Sequence, residues 1–256
     1  MSVNDPLGSS VDSVMARHPR LVFPGIALHV SHRGNNRQDC FHQDNDRLVY
    51  LSILKDLSRL RQCALHAYCL MTNHIHLLLT PQDDTGCSLM MRDLARRYAS
   101  YFNRRYSRTG QLWEGRFRSC LVDSARYVLG CYRYIEQNPV RARMVASPSA
   151  HPWSSYAGNV GTRVDPLLTA HAEYLAIAND DAPRRRAYLD LLSVSESADM
   201  LTALRDATEA GFPLVGDELK ARLESEGARL EPDRPGPRME SGASPGDAAQ
   251  LDLLTE

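Results

Sequence analysis

Apolar and polar positions follow two different periods along the first 140 residues of the chain. Residues 25–32 alternate and include β-branched side chains, which predicts a strand. A helix follows from a cap at Asp44 or Asn45 to about residue 61, and its apolar stripe consists of Leu48, Leu51, Leu54, Leu57 and Leu60. Residues 64–71 and 74–80 predict two further strands, which the short turn at residues 72 and 73 joins into a hairpin.

The next elements complete a recognisable order. Residues 88–106 predict an amphipathic helix, residues 111–122 are typical of extended chain, and Asp123 or Ser124 begins a helix that must end before Pro139. The order β-α-β-β-α-β-α predicts an α+β fold, a ferredoxin-like or RRM-like sandwich. We expect an antiparallel sheet with helices covering one of its faces.

Composition divides the chain into four segments. Residues 1–20 have the character of a loose lead-in, and residues 21–160 hold the predicted sandwich domain. Residues 161–230 predict short helices in an acidic accessory segment. Residues 231–256 are rich in proline, glycine, serine and acidic residues, so we predict that this tail is disordered.

The net charge of −1 conceals an uneven distribution. The first 160 residues carry 20 Lys and Arg against 12 Asp and Glu, whereas the remainder carries 10 against 19. A basic, arginine-rich domain fits a polyanionic partner, although a solvated arginine-rich surface gives the same count.

The six cysteines form no C-x-x-C pair, which favours reduced core thiols over a zinc ribbon. Since neither a membrane span nor a signal peptide is visible, we expect a cytoplasmic protein with no membrane partner.

The hairpin contains a His-x-His pair. In a strand, His74 and His76 project from one face while Ile75 projects from the other. Two imidazoles on one face can hold a metal ion, but the motif alone is weak because short motifs arise by chance. Two ordinary strand histidines give the same pattern.

The helix that begins near residue 124 strengthens the metal hypothesis. Tyr134 and Asn138 are four residues apart on it and therefore share a face. An amide oxygen with two imidazoles suits Mg²⁺ or Mn²⁺ and leaves positions open for phosphate oxygens. Tyr134 is the candidate nucleophile: Tyr132 points about 200° away, and Tyr127 lies roughly 16 Å along the axis from Asn138.

Several blocks of the sequence resemble the HUH single-tyrosine transposases, and among them the REP-associated tyrosine transposases. The blocks cover residues 21–160 and include YCLMTNHIHLLL at 68–79, RRYASYFNRRYSRTGQLWEGRFRS at 96–119, YRYIEQNPVRARMV at 132–145 and HPWSSY at 151–156. The resemblance implies metal-dependent cleavage of single-stranded DNA beside hairpins, leaving a 5′-phosphotyrosine and a free 3′-OH. By position, it assigns the metal to His74, His76 and Asn138 and the nucleophile to Tyr134.

Arginines interleaved with aromatic residues supply a predicted grip on DNA. Such residues hold phosphates while exposed aromatic rings stack on bases, although Tyr98, Phe102 and Trp113 are predicted to pack in the core. The predicted DNA-binding residues are Arg33, Arg92, Arg96, Arg97, Arg104, Arg105, Arg116 and Arg118. Two alternatives remain, a non-catalytic RRM-like nucleic-acid binder and a phosphodiesterase that uses water. Both a monomer and a homodimer are compatible with the sequence.

Overall fold

The computed structural model describes residues 20–194, 196–228 and 230. The predicted tail at 231–256, and the predicted lead-in except for residue 20, lie outside these described residues. No helix within the described part of the chain is long and apolar enough to cross a membrane.

Four strands form one antiparallel sheet in the order β2-β3-β1-β4. They are β1 (Ala27–Arg33), β2 (Cys63–Leu70), β3 (His74–Pro81) and β4 (Arg118–Val122). The first and third strands of the chain are central, which is the arrangement that two β-α-β units produce when they interleave. The predicted α+β sandwich with an antiparallel sheet is therefore confirmed.

The helices of the described residues follow the predicted order and continue into the accessory segment. They are α1 (Asp44–Leu60), α2 (Gly86–Arg105), α3 (Ser124–Glu136), α4 (Asn138–Arg141), α5 (Tyr156–Asn159), α6 (Ala172–Leu175), α7 (Asp181–Ser193), α8 (Ala198–Ala210) and α9 (Asp217–Ser225). As predicted, α3 ends before Pro139, because a proline has no N–H for the helix interior and restricts the residue before it.

Helices cover both faces of the sheet, whereas the sequence pattern predicted helices on one. On the first face, α1 and α2 pack over Leu28, Val30 and Leu77. On the second face, α3 and α8 pack over residues such as Leu78 and Cys120. Of these helices, α3 belongs to the predicted sandwich domain, whereas α8 comes from the accessory segment, whose short, weakly patterned stretches gave no indication of where they dock.

The segment predicted as one extended run, residues 111–122, is a strand only at its end. Before β4, Trp113 leaves the strand path, forms an isolated bridge with Gly34 and stacks on His32 at 4.4 Å between ring centroids. Tyr98 and Phe102 project from α2 and are buried with Trp113 in the first-face core, as predicted for packing residues. The loop before β4 therefore crosses the end of β1, where Arg33 and Gly34 lie.

Asp46 ties the start of α1 to the end of α2. The backbone N–H groups of His42 and Gln43 donate to its carboxylate at 2.9 Å each. The hydroxyls of Tyr101 and Tyr106 donate to it at 3.0 and 2.7 Å. Burial alone would raise the pKa of Asp46, but these hydrogen bonds outweigh it and hold the pKa below its ordinary value.

We expect Asp46→Asn to lower the free energy of unfolding by about 1–2 kcal/mol at pH 7, because the cap and charged acceptor are weakened. Since the folded-state pKa is lowered, the stabilisation is complete above the unfolded value and is lost as pH falls through the folded value. Urea unfolding should therefore show a difference between wild type and variant that shrinks below about pH 4. A difference constant from pH 7 to pH 3 would contradict this role.

Candidate active site

The two histidines of β3 share one face of the sheet. Ile75 is fully buried among the residues that α1 and α2 cover, whereas His74 and His76 project toward the α3 side. In the register of β1 and β3, Ser31 pairs with His76 and Arg33 pairs with His74. The sheet therefore places two imidazoles beside a hydroxyl and a guanidinium.

These side chains border a cavity of about 230 Å³ between the sheet, α3 and α8. Its lining combines the predicted metal ligands and tyrosine with arginines, two glutamates and a threonine. The lining residues are Ser31, Arg33, His74, His76, Glu114, Arg116, Arg118, Tyr134, Asn138, Arg205, Thr208 and Glu209. One polar pocket thus contains His74, His76, Tyr134 and Asn138.

Hydrogen bonds around His74 determine which ring nitrogen carries its proton. The Asn73 amide nitrogen donates to the Arg37 carbonyl at 3.1 Å, which directs the amide oxygen toward His74. That oxygen only accepts, so His74 Nδ1 is the donor in their 2.7 Å contact. A neutral His74 then has its lone pair on Nε2, the nitrogen free to bind a metal.

Both imidazoles are neutral near pH 7. Burial, with a further contribution from Arg33, lowers the pKa of His74 to about 4. Burial lowers the pKa of His76 well below its ordinary value, and the neighbouring His29 and His74 act in the same direction. Metal ligation requires unprotonated imidazole nitrogens, so this pocket keeps the pair in the form that binds a cation.

Tyr134 lies directly against this histidine group. Its ring meets those of His76 and His29 edge-on, each at 5.5 Å between centroids. The Arg141 guanidinium carbon lies 4.6 Å from the centre of the Tyr134 ring, and Arg141 also donates to the Tyr134 carbonyl. The ring is therefore held between two imidazoles and a cation, with its position fixed from several sides.

The other two tyrosines of α3 lie elsewhere. Tyr132 is completely buried, stacks on Tyr174 and accepts a hydrogen bond from the backbone N–H of His171. Tyr127 is half-buried and packs against the second-face core without lining the cavity. The helix therefore presents Tyr134, and neither of its neighbours, to the pocket.

Asn138 begins α4 immediately after the turn at Gln137 that ends α3. The prediction that Asn138 shares one helix with Tyr134 is therefore wrong, because α3 ends at Glu136 and Asn138 begins the next helix together with Pro139. The Asn138 side chain is 9% exposed and borders the cavity with Tyr134. Among the described residues, no three His, Cys, Asp or Glu side chains are grouped to hold a metal ion. The predicted donor set, two imidazoles and the Asn138 amide, lines one cavity, and its chemistry suits a divalent ion.

The predicted DNA-binding arginines separate into two groups. Arg33, Arg116 and Arg118 line the cavity. The members on α2 lie across the sheet, on the first face, and are Arg92, Arg96, Arg97, Arg104 and Arg105. Two of these have acidic partners: Arg92 pairs with Asp93 at 3.0 Å, and Arg105 lies 3.5 Å from Asp46. Arg96, Arg97 and Arg104 are exposed to solvent.

Several residues that line the pocket, or that contact a residue lining it, were not predicted from the sequence. The alternation of β1 places His29 on the same face as Ser31 and Arg33, so its strand pattern contained a usable signal. The accessory segment contributes Arg205, Thr208 and Glu209 from α8. Their helical pattern indicated no such position, because a helix pattern does not reveal its packing partner.

Comparison with known proteins identifies one matching family. Residues 23–138 match the model of the family described as transposase IS200 like. A search of curated proteins found no match.

Three solved structures show partial likeness. The first is a REP-associated tyrosine transposase bound to a REP hairpin, with 18% identity and a TM-score of 0.48 over 62% of this chain and 93% of that chain. The second is a protein described as a transposase from Deinococcus radiodurans R1, with 21% identity and a TM-score of 0.33 over 51% of this chain and 94% of that chain. The third is tRNA(His) guanylyltransferase from Saccharomyces cerevisiae, with 10% identity and a TM-score of 0.38 over 77% of this chain and 83% of that chain. All three TM-scores are below 0.5, too low for these likenesses to indicate a function.

Proposed function

We propose that residues 23–138, which belong to the IS200-like transposase family, form the core of a metal-dependent single-stranded DNA endonuclease and strand-transferase. The observation that carries the proposal is the pocket shared by His74, His76, Tyr134 and Asn138. It combines a hydroxyl nucleophile, cation ligands and arginines in one polar cavity. The blocks shared with REP-associated tyrosine transposases favour hairpin-bearing DNA as the substrate.

Tyr134 would act as the nucleophile of a transesterification. Its phenolic oxygen loses its proton to solvent and bonds to a backbone phosphorus. The bond from phosphorus to the 3′-oxygen breaks, and the leaving 3′-oxygen takes a proton from solvent. The products are a 5′-phosphotyrosine and a 3′-OH. Because the new ester conserves the bond energy, a second 3′-OH can attack it and rejoin DNA without ATP.

The attack requires help because a phenol is a weak nucleophile until its proton is removed. His74, His76 and Asn138 would hold a divalent cation, Mg²⁺ or Mn²⁺. When bound, the cation neutralises charge that develops on the phosphate oxygens. Arg33, with the other cavity arginines, would bind the same polyanionic backbone and position it beside Tyr134.

The exposed arginines of α2 would extend the grip beyond the pocket. Arg96, Arg97 and Arg104 lie on a different face of the domain from Tyr134, so DNA that reaches both must pass around the edge of the sheet. These residues would contact phosphates without touching the reacting atoms. They are therefore expected to affect binding and not the chemical step.

We expect the triple variant Arg96→Ala, Arg97→Ala and Arg104→Ala to weaken single-stranded DNA binding for many sequences alike. The slope of log K against log salt should become shallower by about 2, since each lost phosphate contact contributes roughly 0.7. Cleavage at saturating DNA should persist. The matched Lys triple keeps the charges and should retain the slope, whereas an unchanged slope in the Ala triple would show that these arginines do not contact DNA.

A further inference from the structure

Helix α8 of the accessory segment forms part of the wall of the active-site cavity. Arg205, Thr208 and Glu209 line it together with His76, although residues 198–210 lie outside the family match. The Ser197 side chain caps the start of α8 by accepting from the N–H of Met200 at 3.2 Å. Met200 and Leu204 are buried in the second-face core, so the helix is firmly seated beside the histidines.

A chain of hydrogen bonds runs from α8 through β1 to β3. Thr208 Oγ1 donates to the Leu204 carbonyl at 2.7 Å. His29 Nδ1 lies 2.7 Å from that same hydroxyl, and His29 Nε2 lies 3.0 Å from His76 Nδ1. The planes of the His29 and His76 rings are 18° apart, and the ring centroids lie 5.1 Å from each other. All three linked side chains, Thr208, His29 and His76, are buried.

The directions of these bonds follow from one proton. A carbonyl only accepts, so the Leu204 contact takes the single hydroxyl hydrogen of Thr208. The hydroxyl oxygen then accepts from His29 Nδ1–H, and its second lone pair faces the Cys120 thiol at 3.2 Å. His29 Nε2 is left as an acceptor and takes the hydrogen of His76 Nδ1. The lone pair of His76 consequently resides on Nε2.

We propose that Thr208, acting through His29, is a positioning residue that holds His76 in the tautomer able to bind the active-site cation. This inference rests on the proposed function, since it concerns one of its metal ligands. It assigns a role to the accessory segment, which supplies the outer partner of a ligand that the sheet provides. His74 has its own outer partner in Asn73, so each metal-binding histidine is oriented by a separate acceptor.

The test compares Thr208→Val, which keeps the branched shape but loses the hydroxyl, with Thr208→Ser, which keeps the hydroxyl. In metal-free, full-length protein, ¹⁵N NMR of the imidazoles should show the proton of His76 on Nδ1 in the wild type and Thr208→Ser. Thr208→Val should move it toward Nε2, because His29 Nδ1 then has no polar acceptor. Mn²⁺ affinity, measured calorimetrically, should fall about tenfold in Thr208→Val only.

The outcomes separate this inference from the proposed function. A wild-type proton on His76 Nε2, or a Thr208→Val protein with unchanged tautomer and Mn²⁺ affinity, would overturn the role of Thr208. The wild-type NMR result decides the matter even if the valine variant fails to fold. A wild type that shows the expected tautomer but binds no Mn²⁺ supports the hydrogen-bond chain and contradicts the metal site of the proposed function.

Discussion

Tyr134→Phe is expected to abolish both cleavage and the covalent protein–DNA adduct. The change removes one oxygen from a ring held by His29, His76 and Arg141, so packing and DNA binding should persist. Loss of a nucleophile in covalent catalysis can lower kcat on the order of 10⁶-fold, and the adduct should fall below detection. The measurement is denaturing gel electrophoresis after incubation with Mg²⁺ or Mn²⁺ and a labelled single strand.

Two matched variants control for changes in α3 itself. Tyr127→Phe and Tyr132→Phe make the same substitution outside the cavity, and both proteins should still form an SDS-resistant adduct with the 5′ side of the break. Mass spectrometry should place the nucleotide on Tyr134 in the wild type. Attachment to Tyr127 would contradict the assignment. Cleavage without any tyrosine adduct would favour the water-dependent phosphodiesterase, and binding without cleavage would favour the non-catalytic RRM-like binder.

The parts of the site that lie on local patterns could be predicted from the sequence. Alternation in β3 determines which face His74 and His76 occupy, and the short separation of Tyr134 and Asn138 brings both to the cavity although α3 ends between them. Both relations involve side chains within a few residues of each other, where backbone geometry alone determines direction. The fold followed for a similar reason, because each strand and helix of residues 25–138 carries its own period.

The remainder depends on contacts distant in sequence. His29 and Thr208 are separated by 179 residues, and no local period relates them. The arginines illustrate the same limit, because no local pattern shows that the fold places Arg33 at the cavity and Arg96 on the other face of the sheet. Residues 111–117 show another limit of prediction from local sequence. The loop they form has the apolar character of a strand because Trp113 is buried.

The second large effect is expected at the proposed metal ligands. His74→Ala and His76→Ala each remove one of two imidazoles from the proposed donor set, which Asn138 completes. Mn²⁺ affinity should fall by more than the roughly 10–100-fold that changes in outer hydrogen-bond partners cost. Cleavage should be lost in either variant, while DNA binding is largely retained because arginine–phosphate contacts supply most of the affinity.

His42→Ala is the matched control, since this exposed imidazole packs on Phe102 and Tyr106 across the sheet from the pocket. It should cleave like the wild type. EDTA should abolish DNA cleavage by the wild type, and added Mg²⁺ or Mn²⁺ should restore it. This experiment separates loss of metal from damage to the fold. In the His74→Ala and His76→Ala variants, Mn²⁺ affinity measured by calorimetry and cleavage activity should fall together, because the same imidazoles serve both. Full cleavage by the His74→Ala, His76→Ala double variant, or by the wild type in EDTA, would show that Tyr134 reacts without a cation and would remove the two histidines from the mechanism.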